Sequence, residues 1–280
     1  MRILLATPYI VGEGDTGKLW AKALLELGHS LILWDFRLNR EPPSYDYDLC
    51  IVIKGDTISE DVLRKLKSPK IYYFNDDPNV NQQVQILRRV SKYFDKVYTL
   101  NKIEGYSWLE SEWLPLGYDP DIHRDWNFTR SCKVLYMGTN NCKKKEKYCR
   151  YIKPVIFGNG WQGVLINSYA PQYFLYYSKT LSQAQVALNI LATETGPNRK
   201  FFEIPNSAFM LTTWFNSITE FYDDELIEKT TFTNEKQGKE LCDYYVENED
   251  ERLRLWKKQK EAIKPYTYKN QIKKILEGLD

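Results

Sequence analysis

The sequence predicts an α/β protein in which each of two domains contains a mostly parallel sheet with helices on both faces. Short apolar runs that suit buried strands alternate with segments whose apolar residues recur at helical spacing. This alternation breaks once, between residues 114 and 130, and then resumes. The length of 280 residues is sufficient for two modest domains of this kind.

The first half of the chain has the pattern of repeated strand–helix–strand units. A strand is predicted at 3–6, followed by a glycine-containing loop and a helix whose apolar residues between 19 and 27 share one face. Gly28 is expected to end that helix. The remaining predicted elements are strands at 31–34, 49–53, 71–74 and 97–100, a helix beginning near Ser59 and a helix over 80–90.

A second series follows the segment 114–130, which contains Pro115, Gly117 and Pro120 and is predicted to cross between domains. The predicted elements are strands at 134–137, 155–157, 186–190 and 209–213, with a helix from about Lys200. From Glu235 onward the pattern is helical, with an interruption at Pro265 and a last amphipathic helix over 268–279.

Composition excludes several classes of protein. The net charge of +2 gives no general attraction to nucleic acid or to a membrane surface, so no nucleic-acid partner is predicted. No apolar run approaches the roughly 20 residues of a transmembrane segment, and the N-terminal residues do not resemble a secretory signal. Five cysteines without a C-x-x-C pair and only two histidines predict no metal site and a reduced, cytoplasmic protein.

The first candidate site is the loop containing Gly12, Gly14 and Asp15. Glycines before a helix can present backbone N–H groups to an anion, but the order of a dinucleotide-binding fingerprint is absent. Asp15 would also repel a phosphate. The loop is therefore interpreted either as an acceptor-side loop or as a simple strand-to-helix turn.

The second candidate site is Asp76 and Asp77, which follow the apolar strand predicted at 71–74. Loops after parallel strands are where such sheets bind ligands. One of these carboxylates is predicted to bind a sugar hydroxyl or to act as a general base. The alternative is that an aspartate caps the following helix.

The third candidate site follows the strand 134–137. Gly138 and Asn140 would allow the backbone to approach a ligand closely, and the run Lys143–Lys145 could balance the charge of a diphosphate. The alternative is that these lysines form a solvated helix face.

The fourth candidate site extends from Gly196 to Pro205 and includes Asn198, Arg199, Lys200 and Glu203. Two cations at a helix start oppose the helix dipole, and a phosphate bound there would resolve that conflict. Glu203, expected in the first turn, could accept two ribose hydroxyls. The alternative for Glu203 is favourable charge near the start of a helix.

The order of several motifs resembles the CgeB-like (spore maturation protein) group of GT-B glycosyltransferases, itself similar to the wider glycosyltransferase group 1. The strongest match is Lys200–Glu203 followed by the apolar run 209–212. The other matching motifs are Asn75–Pro78, Phe94–Tyr98, Leu114–Gly117, Tyr136–Gly138, Phe157–Trp161 and Tyr266–Tyr268. Three positions depart from the group's pattern, because Lys200 replaces an arginine, Ala208 a glycine and Tyr266 a histidine.

The resemblance implies a GT-B fold, with two Rossmann-like domains facing across a cleft and a C-terminal helix crossing back to the N-terminal domain. The acceptor-side domain would then comprise 1–120 with 265–280, and the donor-side domain 131–264. Gly138 and Gly158 would let the backbone approach the nucleotide. Lys200, with Arg199, would contact the diphosphate, and Glu203 the ribose.

The predicted function is transfer of a sugar from a nucleotide sugar, most simply a UDP- or GDP-sugar, to an acceptor that is a glycan, a protein or a small molecule. The resemblance implies a hexosyltransferase-like, metal-independent enzyme without a bound cofactor. The alternative is a non-catalytic nucleotide- or sugar-binding protein on the same fold, and a third possibility is a structural protein without a small ligand. Stereochemical outcome is not readable from these residues.

Overall fold

The computed structural model describes residues 1–8, 16–77, 81–102, 107–165 and 167–279. The chain divides into two compact units. The N-terminal unit comprises Met1–Leu116 together with Thr267–Asp280, and the C-terminal unit comprises Gly117–Tyr266. Of the segment 114–130, expected from the sequence to cross between domains, residues 117–130 are part of the C-terminal unit.

The N-terminal unit contains a six-stranded parallel sheet in the order β2-β1-β3-β4-β5-β6. Its strands are β1 Arg2–Ala6, β2 Ser30–Trp34, β3 Leu49–Ile53, β4 Lys70–Phe74, β5 Lys96–Thr99 and β6 Glu112–Trp113. Its helices are α1 Thr16–Glu26, α2 Glu60–Lys65, α3 Asn81–Ser91 and, last in the chain, α10 Tyr268–Glu277.

The central strands of this sheet are apolar because both of their faces are covered. All five residues of β3 are buried. One face packs a core that includes Trp34, Tyr72 and Phe74. Helix α10 packs against α1, so the C-terminal end of the chain completes the N-terminal unit.

The C-terminal unit contains a second six-stranded parallel sheet, in the order β12-β11-β10-β7-β8-β9. Its strands are β7 Cys132–Met137, β8 Val155–Phe157, β9 Ser168–Tyr169, β10 Ala184–Asn189, β11 Phe209–Thr213 and β12 Thr231–Phe232. Its helices are α4 Lys143–Ile152, α5 Phe174–Leu181, α6 Arg199–Ser207, a short 3-10 helix Ile218–Glu220, α7 Asp224–Thr230, α8 Glu235–Glu247 and α9 Glu249–Ile263.

The strand order of the C-terminal sheet reverses between β7 and β10, since the chain moves outward through β8 and β9 and then returns to the other side of β7. In open parallel sheets, ligands bind beyond the carboxyl ends of the strands at such a reversal. The loops after β7 and β10, together with the start of α6, are therefore the first place to look for a site.

The predicted α/β fold with two parallel-sheet halves is confirmed. The two-residue strands β6, β9 and β12 were not predicted, because two residues are too few to show a periodic pattern. Helices α5 and α7 were also not predicted, nor was the division of the helical tail at Asn248. Among the described residues, no helix has both the length and the apolar character needed to cross a membrane.

Candidate functional site

The loops after β7 and β8 meet at the carboxyl edge of the C-terminal sheet. A Cβ atom added to Gly158 would overlap the backbone carbonyl of Gly138. A Cβ atom added to Gly138 would overlap the Nζ atom of Lys200 and approach the hydroxyl of Tyr136. The structure thus brings these two predicted glycines together with Lys200. The backbone contact requires glycine at 158, whereas the atoms that face Gly138 belong to side chains.

Lys200, in the first turn of α6, has an unusual environment for a lysine. Its ammonium group donates a hydrogen bond to the Met137 carbonyl and lies 5.3 Å from the ring centre of Tyr136. Burial, reinforced by the charges of Lys145 and Arg199, lowers the pKa of Lys200 to about 7. In the described part of the chain, no carboxylate lies within ion-pair distance of Lys200. Its positive charge is therefore not neutralised by a neighbour.

Two further polar groups lie beside Lys200. The hydroxyl of Tyr136 is buried and has no hydrogen-bond partner among the described residues. Lys145 is half-buried and donates to Asn141 Oδ1 at 2.7 Å, and burial lowers the pKa of Lys145. Buried polar groups are usually paired, so the Tyr136 hydroxyl indicates a site that receives a ligand or ordered water.

Asn198 holds the start of α6 in place. Its Oδ1 accepts the N–H of Phe201 at 3.2 Å, which makes Asn198 the N-cap of the helix. Its Nδ2 donates to Oδ1 of the buried Asn189 at 3.0 Å and so attaches the helix to the end of β10. The first turn of α6, with its unpaired backbone N–H groups, is thereby fixed at the carboxyl edge of the sheet.

Glu203 lies just beyond the first turn of α6, one residue further along than expected, because the helix begins at Arg199 and Glu203 is its fifth residue. Arg199 Nε donates to Glu203 Oε1 at 2.8 Å. Glu203 is only 1% exposed, and its second oxygen, Oε2, has no hydrogen-bond partner among the described residues. The two residues predicted to contact ribose and diphosphate therefore contact each other, and one carboxylate oxygen stays unpaired.

His123 is a residue of this cluster that sequence reasoning missed. Its Nε2 lies 3.4 Å from Glu203 Oε1, and its ring meets that of Tyr177 edge-on. In the sequence, the two histidines have significance only as possible metal ligands. The one signal that could have identified His123 is that a polar residue falls in the segment directly after the predicted linker motif.

The remaining predicted residues of this region link the loops to one another. Asn140 donates from Nδ2 to the carbonyl of Gly160 at 3.1 Å, which joins the loops after β7 and β8. Lys144, in the predicted lysine run, pairs with Glu194 at 3.2 Å. Any contact of Asn140 with a donor remains a prediction.

In the N-terminal unit, Asp76 Oδ2 pairs with Lys54 Nζ at 2.9 Å after β4. Lys54 has a φ of 72°, a left-handed conformation that is uncommon for a residue other than glycine. Helix α3 is described from Asn81 onward, and residues 78–80 before it lie outside the described residues, so capping by Asp76 or Asp77 stays a prediction.

The predicted acceptor-side residues Gly12, Gly14 and Asp15 lie outside the described residues. Within the described ranges, no three His, Cys, Asp or Glu side chains come close enough together to hold a metal ion.

Comparison with protein families gives a match over residues 143–277 to the family described as glycosyl transferase-like. This match covers most of the C-terminal unit, including Lys200 and Glu203, and continues into α10. A search of curated protein sequences found no match.

Solved structures similar to this chain share its fold at low sequence identity. They include Anabaena Alr3699/HepE in complex with UDP-glucose, at 10% identity and a TM-score of 0.67 over 100% of this chain and 99% of that chain. T4 phage BGT in complex with its UDP-glucose substrate shows 16% identity and a TM-score of 0.63 over 98% and 96% of the two chains.

A third similar structure is an alpha-glucosyltransferase in complex with UDP-glucose and DNA containing an abasic site. It shows 11% identity and a TM-score of 0.64 over 97% of this chain and 96% of that chain. At these identities the likeness establishes the fold, and the prediction of a GT-B glycosyltransferase fold is confirmed.

Proposed function

We propose that this chain is a glycosyltransferase that moves a sugar from a nucleotide-sugar donor to the hydroxyl group of an acceptor, with the donor bound by the C-terminal unit. The observation that carries the proposal is the environment of Lys200. Lys200 is half-buried, and an ammonium group that loses water without gaining a carboxylate partner costs folding free energy. It lies beside the N-terminus of α6, where anions bind well, and a diphosphate would offset that cost.

The proposed chemistry breaks the bond between the anomeric carbon and the diphosphate oxygen and forms a bond from the same carbon to the acceptor oxygen. Negative charge develops on the departing diphosphate. Lys200, Arg199 and the first turn of α6 would stabilise that charge in the transition state. The acceptor hydroxyl loses its proton, and Asp76 or Asp77 is the proposed base.

The proposal extends to a hexose donor carried by UDP or GDP and to a mechanism that needs no metal ion. The similar solved structures that hold UDP-glucose support the choice of donor. The cluster of Lys145, Arg199 and Lys200 supports metal independence, since it supplies positive charge where a metal would otherwise be required. Membership of the CgeB-like group rests on the order of the sequence motifs, and the acceptor class stays open among glycans, proteins and small molecules.

Two measurements test the proposal. Calorimetry measures binding of UDP, GDP and ADP. An assay in the presence of EDTA then measures release of nucleoside diphosphate from the matching glucose conjugates. We expect that one nucleoside diphosphate binds, that Lys200→Met and Glu203→Gln weaken its binding, and that turnover proceeds in EDTA. Binding without turnover for any nucleotide sugar would favour the non-catalytic alternative. If UDP, GDP and ADP all fail to bind, both the proposed glycosyltransferase and the non-catalytic nucleotide-binding alternative are wrong.

A further inference from the structure

The contacts of His123 fix the orientation of its imidazole. The backbone N–H of Asp119 donates to His123 Nδ1 at 3.0 Å. The Asp119 side chain in turn accepts the N–H of Asp121 at 2.9 Å, which closes a turn in the segment that carries the histidine. His123 is 3% exposed, so its ring is held from all sides.

The same contacts determine which nitrogen of His123 carries the hydrogen. Because Nδ1 accepts a hydrogen bond, the hydrogen of an uncharged ring lies on Nε2. Burial is the main cause that lowers the pKa of His123, and the nearby Arg199 lowers it further, while Glu203 and Asp119 act in the opposite direction. The Nε2–H group faces Glu203 Oε1 at 3.4 Å, and a shift of a few tenths of an ångström brings it to hydrogen-bond distance.

The two oxygens of Glu203 differ in their surroundings. Oε1 accepts from Arg199 and faces His123, whereas Oε2 is buried and has no hydrogen bond within the described part of the chain. The Tyr177 hydroxyl, also buried and without a hydrogen bond, lies near enough to Glu203 to interact with it. Because an unpaired buried carboxylate oxygen is costly, Oε2 is suited to accept a hydroxyl, either that of Tyr177 or one from a bound ligand.

Arg199 and His123 both face Oε1 but differ in their surroundings. The Arg199 side chain is 31% exposed and lies at the start of α6, where it could also contact a bound diphosphate. His123 is enclosed, with Tyr177 packed edge-on at 6.3 Å between ring centres, and cannot move in the same way. If Arg199 leaves Glu203 for the diphosphate, His123 is the donor that still holds Oε1.

We propose that His123 is a positioning residue of the donor site: its Nε2–H holds Glu203 Oε1, so that Oε2 is presented to a ribose hydroxyl of the donor. This inference rests on the proposed function, since it assumes that a nucleoside diphosphate binds the C-terminal unit. It adds a residue that contributes to recognition of the ribose through Glu203, without contacting the ribose itself.

The first experiment compares affinities for the better-bound of UDP and GDP with those for its 2′-deoxy and 3′-deoxy analogues, by calorimetry. The wild type is expected to bind the ribonucleotide about tenfold more tightly than one analogue, the value of one well-made hydrogen bond to a charged group. His123→Leu is expected to bind both to within about twofold, and His123→Gln, which can still donate to Glu203, to regain part of the discrimination. A variant whose buried histidine has only a structural role would lose affinity for both ligands equally.

The second experiment uses the unaltered protein, so that it does not depend on whether His123→Leu folds. The chain has two histidines, and a His29→Gln variant assigns their 15N imidazole signals. His123 is expected to show the Nε2–H form, with an Nε2 signal that shifts when UDP or GDP saturates the protein.

The outcomes separate the two proposals. Three results would overturn the role of His123 and leave the proposed function intact. A folded His123→Leu could keep the preference for the ribonucleotide over its deoxy analogue. Alternatively, the ring could show the Nδ1–H form, or the Nε2 signal could stay unmoved at saturation. A wild type that binds neither nucleotide would overturn the proposed function and this inference with it.

Discussion

The carboxyl edges of the two sheets carry charge in different ways. In the N-terminal unit the charges are balanced, since Lys54 pairs with Asp76 at 2.9 Å and Arg37 pairs with Asp56 at 2.7 Å. In the C-terminal unit, Lys145 and Lys200 have no carboxylate within ion-pair distance among the residues that the structure describes.

The difference indicates what each edge is suited to hold. A balanced edge creates a weak local field and keeps its carboxylates oriented, which suits contact with neutral hydroxyl groups. An edge with half-buried cations that have no carboxylate partner is costly unless an anion binds there. The comparison therefore associates the diphosphate with the C-terminal unit and the proposed base with the N-terminal unit.

The largest effect is expected at the balanced edge. Asp76→Asn removes the proposed base while leaving its shape, and should lower kcat for release of nucleoside diphosphate from a nucleotide sugar by about 10²–10⁴-fold, the usual contribution of general base catalysis. The KM for the donor should change little, because the substitution lies outside the C-terminal unit.

Asp77→Asn is the matched control for that change, since it alters the neighbouring carboxylate. Steady-state kinetics on both variants measures the difference. A kcat unaffected by Asp76→Asn would remove Asp76 from the chemistry, and a large loss in Asp77→Asn would assign the role to its neighbour.

The next effect concerns the unpaired cation. Lys200→Met should weaken binding of the nucleoside diphosphate by about 10–100-fold, because it removes a charged hydrogen bond to the ligand. Lys144→Met is the control, since Lys144 lies on the nearby α4 and is already paired with Glu194. Equal losses in the two variants, measured by calorimetry, would show that the position of the charge does not matter.

The same substitution should raise the melting temperature of the unliganded protein. The pKa of Lys200 is about 7 in the folded state and 10.5 without perturbation, so below pH 7 the folded state holds an unfavourable charge. The gain from Lys200→Met should be largest below pH 7 and shrink as the pH rises toward 10.5. Thermal melts across this range check the sign, and a gain that grows with pH would contradict it.

A smaller effect is expected on stability alone. Gly158→Ala places a Cβ against the Gly138 carbonyl, a backbone atom that cannot move aside freely, and should lower the free energy of unfolding by about 1–3 kcal/mol. Gly278→Ala in the N-terminal unit is the control, because its Cβ meets the flexible end of Lys96. Denaturant titrations measure the free energy of unfolding of both variants. Equal values would show that the loops after β7 and β8 are not tightly packed against each other.

The smallest effect is a change in protonation on binding. A diphosphate beside Lys200 favours its charged form, so binding at pH 8 should take up a substantial fraction of one proton, and binding below about pH 6 almost none. Calorimetry in buffers of different ionisation enthalpy measures this uptake. Proton release at pH 8 would contradict the low pKa of Lys200 in the free protein.

Much of the fold could be predicted because strand and helix patterns are local. The run Leu49–Ile53 was predicted from its apolar residues and has the same bounds in the structure. Gly28 ends α1 with a φ of 84°, as its conformational freedom suggested. The two-residue strand β12 could not be predicted, because it is defined only by its pairing with β11.

The sequence by itself determined the alternation of strands and helices, the two series of parallel strands and the cationic start of α6, since each depends on residues close together in the chain. Only the tertiary structure decided that Lys200 lies half-buried with no carboxylate within ion-pair distance in the described part of the chain, and that Arg199 and His123 face the same oxygen of Glu203. The physical reason is distance along the chain. His123 precedes Glu203 by 80 positions, and burial and charge act through space between residues that only folding brings together.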